Sequence, residues 1–586
     1  MKKKVMKKAL AAALSLTMIS AMLAGCGDKS GGESANASGT GSVSQAESAG
    51  GQESSSSGQE SQETPGDEIV RLQVLCMPSN TSGVITGWFP DYIKEQLGVE
   101  LELLPAGDQG EQKLQALMTS GELPDIVVFK DDKQVVNAVA GDMLVSYDDY
   151  KDLLPNVYEN APMSLKYYAE NMSNGQNKPY AVGVELKNAV QTSANSGGFM
   201  LRYDYYKEMG SPEVKTVEDF MPILEQMQEA HPTTENGDKV YAISLFSDWD
   251  KSYMTMGMFF APFTGRQIRN EQCLAEIDFT NNEEIYSILD EKSAYMRFLN
   301  FMFEANQKGL VDPDSMTQRF SDYTQKATDG KILFGLGDWG MNFTAEQQNA
   351  GQGFRQVVMT DEKFLVDSKD EIGKGWSVAV GAASENKEMA FKVINLMYDY
   401  ETAMVERNGP KGVNWTTDEN GKPYVTEEGY ANWFNPAAQA SQDKGEHMFR
   451  AYASYSLNKE GYPIDYVYWE KPDYAPAETT LVEQWKEDYG FENPLELQYS
   501  LGNVIVKPFV PAPTMTDEME LISSRVGSEI QTTSWKMIFA KDRAEFDSLY
   551  AGLVEKAEGM GITSWVDWFR DEYNKNAEFG AQYVTK

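Results

Sequence analysis

Between Val70 and Phe129 the chain switches four times between strand spacing and helix spacing, and this limits the fold more than any other stretch. Val70, Leu72 and Val74 recur at every second residue, as a half-buried strand requires. Trp88 to Leu97 reads as a helix, with Gly98 placed to end it. Val99, Leu101 and Leu103 alternate again, and Glu111 to Ser120 sets Leu114, Leu117 and Met118 on one helical face. Asp125 to Phe129 is short, apolar and strand-like. Strand, helix, strand, helix, strand with short connections predicts parallel strands joined by right-handed crossovers, an open α/β sheet. Ligands of such sheets bind outside the carboxyl ends of the strands. Here those ends are the loops around Pro78-Ser79-Asn80 and Lys130-Asp131.

Residues 68–586 are too many for one core of ordinary size, so two or more lobes are expected. Beyond about residue 186 helical patterns dominate: Ser293–Gln307, Lys387–Met404 and Thr516–Glu578 with glycine breaks. Lys331–Leu336 and Trp376–Val380 are strand candidates within this region, and no internal repeat is visible.

The chain starts with a lysine-rich head and an apolar run from Ala9 to about Met22, followed by Leu23-Ala24-Gly25-Cys26. This is the layout of a secretory signal, and the run is shorter than the roughly 20 residues of a membrane span. It resembles a bacterial lipoprotein signal. That resemblance implies removal of residues 1–25, a diacylglycerol thioether on Cys26 with further acylation such as palmitate, and a place on the outer face of the cell membrane. Membrane contact would then be through the lipid alone. Residues 27–67 are mostly Gly, Ser, Glu, Gln and Ala, too polar to bury a core, and predict a tether with a reach of roughly 35 Å.

The formal net charge of −38 excludes nucleic acid and anionic lipid surfaces as partners, because both demand a basic face. Three cysteines and two histidines, His231 and His447, leave no room for a Cys or His metal cluster or a His-based triad. Asp312-Pro313-Asp314 and Thr417-Asp418-Glu419-Asn420-Gly421 do not fit a calcium loop, and no phosphate-binding glycine loop is present. No cofactor and no enzymatic activity are therefore expected. The 11 Trp, 30 Tyr and 26 Phe serve either as core or as stacking platforms for a flat ligand such as a sugar.

A set of segments then carries a family resemblance. They are Ser120-Gly121-Glu122-Leu123-Pro124-Asp125-Ile126, Gly141-Asp142-Met143-Leu144, Met200-Leu201-Arg202-Tyr203-Asp204, Gly309-Leu310-Val311-Asp312-Pro313-Asp314, Gly337-Asp338-Trp339, Asn408-Gly409-Pro410-Lys411-Gly412 and Pro511-Ala512-Pro513-Thr514. In this order, behind a lipoprotein start, they resemble the family 1 extracellular solute-binding lipoproteins of ABC importers, and within them the large LipO-like branch. The resemblance implies a type II periplasmic-binding-protein-like fold, with two discontinuous α/β lobes joined by hinge strands. Lobe 1 would be 68–186 plus 377–508 and lobe 2 would be 187–376 plus 509–586. Crossings would fall near Tyr180–Val190, Gly375–Val380 and Val506–Pro511. It also implies a monomer that hands its ligand, a carbohydrate and in particular an oligosaccharide, to ABC permease subunits.

Carried onto this chain, the resemblance puts Trp339 where sugar-binding relatives have a stacking ring. Trp249 and Asp248 lie in a polar loop that gives an aromatic little reason for burial. Ser79 and Asn80 end the first strand on the ligand side, and Asp125 either meets ligand or pins a turn. Trp415 and Trp469 are further stacking candidates, and Arg202 either binds a hydroxyl or pairs with an acid. Two other readings stay open. A peptide or phosphorylated solute would need Arg and Lys in the cleft where sugars need rings, and a surface glycoside hydrolase would need a catalytic pair of acids.

Overall fold

The computed structural model describes residues 69–583 except 80–81, 105–109, 193–196, 338–339, 342, 374–375 and 435–449. The leader, Cys26 and the tether lie outside the described residues. Residues 1–66 and 67–586 form separate units, and all the described residues belong to the second.

The period-2 stretches form the first sheet. Val70–Cys76 pairs in parallel with Val99–Leu104 on one side and with Ile126–Phe129 on the other. Burial follows the pleat. Leu72, Val74, Cys76, Ile126 and Val128 join one apolar cluster, while Leu75, Val127 and Phe129 join the cluster on the opposite face. The helix Trp88–Leu97 stops where Gly98 turns left-handed at φ 66° and donates its N–H to the Lys94 carbonyl. Ser377–Val380 extends this sheet antiparallel to Ile126–Phe129, and Val182–Gly183 closes the row. The second of the expected crossings therefore ends earlier than Gly375–Val380: residues 377–380 are already sheet, and the chain crosses upstream of them.

The second sheet runs in the order Phe354–Gln356, Phe199–Arg202, Ile332–Leu336, Tyr241–Ile243. Helices of the chain's later half share its core, among them Ala294–Gln307, which Ser293 caps by accepting from Met296 N–H. The long helical stretch at the end is three helices, Asp517–Ile538, Arg543–Met560 and Ile562–Gly580, the last two split by Gly561 at φ 101°. The expected helix Lys387–Met404 is likewise two, because Asp399 caps a new start at Tyr400.

Two segments pack differently from the lobe bounds expected of the sequence. Leu481, Trp485, Leu495 and Leu497 belong to the second sheet's core, and Trp485 Nε1 donates to the Gln356 carbonyl at 2.8 Å. The end of the last helix goes the other way. Phe579 and Tyr583 pack on the first lobe's outer cluster, where Tyr583 Oη donates to Glu170 and accepts from Asn171.

Candidate functional site

Three segments run between the lobes and meet side by side. Phe364–Asp367 pairs in parallel with Val504–Lys507, in register from Phe364 opposite Val504 to Asp367 opposite Lys507. The segment after Val182–Gly183 joins them through Lys187 and Asp370, whose N–H groups each donate to the other's carbonyl at 2.8 Å. The approach is close: a Cβ on Gly183 would lie 1.8 Å from the Ile372 carbonyl oxygen.

This register sets charged side chains from all three crossings beside a recess of about 290 Å³. The first lobe contributes Asp132, Tyr167 and Tyr168, and the second contributes Gln267 and Arg269. Asp132 arrives there because Asp131 caps the helix that follows the strand Ile126–Phe129, accepting from Lys133 and Gln134 N–H at 2.7 and 3.2 Å. The recess thus opens at a carboxyl end of the parallel sheet, where ligands of such sheets bind.

Asp367 accepts from Lys187 Nζ at 2.5 Å and from Lys507 Nζ at 2.7 Å. Burial alone would raise its carboxyl, but the two ammonium groups overcome this and hold it well below the usual range. Lys507 is itself pushed down by burial. Asp132 accepts from the Tyr167 and Tyr168 hydroxyls at 3.1 and 3.4 Å, and burial pushes its carboxyl up to about 6. Asp370 is also raised to about 6 by burial, although Lys187 and the N–H groups of Gly373 and Ile372 work against it. Neither of these two carboxylates forms a salt bridge among the described residues. Arg269 donates to the Val510 carbonyl at 2.6 Å, has no carboxylate partner there, and is lowered by burial.

A second depression of about 320 Å³ shares Gln267, Asp367 and Lys507 with the first. Its other lining residues are mostly apolar and include Phe259, Phe263, Phe364, Pro262 and Leu336. Together the two, joined by these three shared residues, offer hydrogen-bond acceptors, a guanidinium and aromatic faces.

The residues singled out in the sequence are scattered around these two depressions. Trp339 and Asn80 lie outside the described residues; the strand before Trp339 ends at Leu336, in the second depression. Trp249 is half-buried in a ring cluster, 4.9 Å from Phe246, 4.5 Å from Phe320 and 6.4 Å from Phe259 between centroids. It stands behind Phe259, one ring away from the depression. Asp248 is exposed and accepts from Phe320 N–H at 2.9 Å. Ser79 is buried at the end of its strand. Asp125 ties the sheet to the loop after Ser377–Val380, accepting from Gln73 N–H at 2.8 Å and Ser384 Oγ at 2.5 Å.

Trp415, a stacking candidate by sequence, is 1% exposed and packs on Trp469, with both indole N–H groups spent on backbone carbonyls. Both rings sit in the first lobe's core, where no ligand can lie on them. Arg202 is buried in a two-bond pair with Asp204, at 3.0 and 2.6 Å, and lies over Tyr205. Sequence reasoning reaches the charged lining of the recess only in part: the expected crossings Tyr180–Val190 and Val506–Pro511 include Lys187 and Lys507, and Lys130-Asp131 stops one residue short of Asp132. No local pattern marks Arg269 or Asp367.

Comparison with known proteins bears on the family and the fold. The family model described as bacterial extracellular solute-binding protein matches residues 88–405. Among solved structures, one similar protein is a solute-binding protein from Bifidobacterium longum infantis, described as HMO binding and ABC-transporter associated. It is 16% identical, with 87% of this chain and 100% of that chain covered and a TM-score of 0.57. Another is the Streptococcus pneumoniae ABC-transporter substrate binding protein FusA, an EF-hand mutant in complex with fructo-nystose. The identity is 16%, the coverage 86% and 99%, and the TM-score 0.57. A third is the N-glycan transport solute binding protein NgtS from Streptococcus pneumoniae, at 15% identity, 87% and 99% coverage and a TM-score of 0.54. No curated protein matches the chain.

Proposed function

Since the chain belongs to the bacterial extracellular solute-binding protein family, we propose that it captures an oligosaccharide at the hinge recess and delivers it to an ABC permease. The observation that carries this reading is the mixture of groups around the recess. Asp132 and Asp370 are acceptors without a salt bridge among the described residues, Arg269 is a donor without a carboxylate there, and Phe259 and its neighbours supply apolar faces. A polyol needs both hydrogen-bonding roles, because buried groups left unpaired are costly. Its C–H faces need flat partners. The sugars named for FusA and NgtS, at this low identity, agree with the reading without fixing a ligand. The protein acts by closing over its cargo, with the ligand shifting the population toward the closed form, and carries out no chemistry on it. Trp339 and Asn80 remain proposed contacts, Trp249 backs the aromatic face, and Cys26 is the proposed lipid attachment.

Titration calorimetry with a panel of neutral and acidic oligosaccharides and short peptides tests the assignment. Heat with a neutral glycan, reduced about 10- to 100-fold in affinity by Arg269→Ala, is the expected result. Heat with peptides alone would move the protein to another solute class. For the anchor, mass spectrometry of the mature N-terminus should find a diacylated Cys26, and Cys26→Ser should abolish both that lipid and the cut before it, leaving residues 1–25 attached.

A further inference from the structure

A cleft for uncharged sugar can use Arg269 as a donor but has no evident need of two further cations, yet Lys187 and Lys507 line this recess beside it. The two lysines come from the first and third crossings, and Asp367 comes from the second. Its two carboxylate oxygens are each taken by one lysine, at 2.5 and 2.7 Å. With Asp132 and Asp370 the lining then holds three carboxylates against three cations. A carboxylate held between two ammonium groups is also what an acidic ligand would present on entering.

We propose that Asp367 is a specificity-determining residue: it is a built-in counter-ion that fills the anion position of the recess from within the chain and so restricts the site to uncharged solutes. The proposal rests on the recess being the ligand site. On this reading Asp367 keeps the two lysines at the hinge from drawing in phosphate, sulfate or acidic sugars. A role in merely clasping the three crossings together would predict lost stability on removing Asp367, but no new ligand. The counter-ion role predicts a new ligand, because Asp367→Asn leaves two ammonium groups and one guanidinium facing a ligand with one carboxylate fewer.

The test is calorimetric titration of the wild-type protein and Asp367→Asn with sodium sulfate and with a galacturonic acid disaccharide, at low ionic strength, alongside the neutral glycan panel. The wild type should give no heat with either anion. The variant should bind at least one of them at least about thirty-fold more tightly than the wild type, with affinity falling as salt rises. Anion binding by the wild type as tight as by the variant would overturn the proposal, and so would a folded variant, shown by near-ultraviolet circular dichroism, that binds neither anion. Should Asp367→Asn fail to fold, Lys507→Gln decides. It leaves the lining one cation short and should favour a glucosamine oligomer over its N-acetylated counterpart about tenfold more than the wild type does. An unchanged charge preference would overturn the proposal. If no saccharide binds the wild type, the carbohydrate reading fails, while the sulfate comparison still decides the role of Asp367.

Discussion

Glu276 shows how much one buried side chain can bias the molecule. It is fully buried beneath the helix Ala294–Gln307, accepting from Ala294 N–H at 2.8 Å, with Arg266 Nε 3.6 Å away. Burial pushes its carboxyl up to about 7, against the pull of the helix N–H groups and Arg266. A carboxyl raised on folding holds its proton better in the folded state, so its contribution is full below about pH 4.5 and is lost as pH rises through about 7. Asp132 and Asp370 act the same way, with the loss complete near pH 6. Glu276→Gln keeps an acceptor for Ala294 and should raise the melting temperature at pH 8, with a smaller or no gain at pH 5. An equal shift at both pH values would show that Glu276 does not titrate in this window. Gly183→Ala is a steric test: its Cβ meets the Ile372 carbonyl, so a loss of about 2 kcal/mol or more by denaturant titration is expected. At this scale the sequence is least legible. Trp415 and Trp249 are the same residue type in loop-like surroundings, and only tertiary packing seals the one and leaves the other half-open. The sequence allows Asp125 to be either ligand contact or turn pin, and its bonds to Gln73 and Ser384 show it fastening the sheet.

Elements are far more legible, because their signals are periodic. The three parallel strands and the helix between Trp88 and Leu97 follow from alternation and Gly98, which need only neighbours in sequence. Ser377–Val380 is visible as an apolar run, but its place in the first sheet is not, since pairing across some 250 residues leaves no local trace. Trp485 is hidden for the same reason. It fills the second lobe's core from a segment expected in the first. The helix Asp132–Ala140 carries a testable part of the site. Asp131→Ala removes both cap bonds and should cost about 1 kcal/mol. Because that cap also sets where Asp132 begins, glycan affinity should fall alongside stability. Lost stability with unchanged affinity would mean that Asp132 is not a contact.

For the whole molecule, the prediction is closure. Small-angle scattering should show a smaller radius of gyration with saturating glycan than without, and a ligand at about one hundred times its dissociation constant should stabilise the fold by about 2.7 kcal/mol. A bound ligand with an unchanged scattering curve would mean that the hinge does not close on binding. The three crossings are not the only tie between the lobes. Lys133 of the first meets Asp517 and Glu520 of the second at 3.4 and 3.1 Å, and Phe579 and Tyr583 reach over to the first lobe's outer cluster. The last of these has a practical side. A reporter protein or purification tag fused behind Lys586 would begin only a few residues from Tyr583, whose ring packs on Tyr167 of the recess lining. Such a fusion should blunt cargo uptake, whereas the same cargo-free label joined ahead of Asp67 should leave uptake intact.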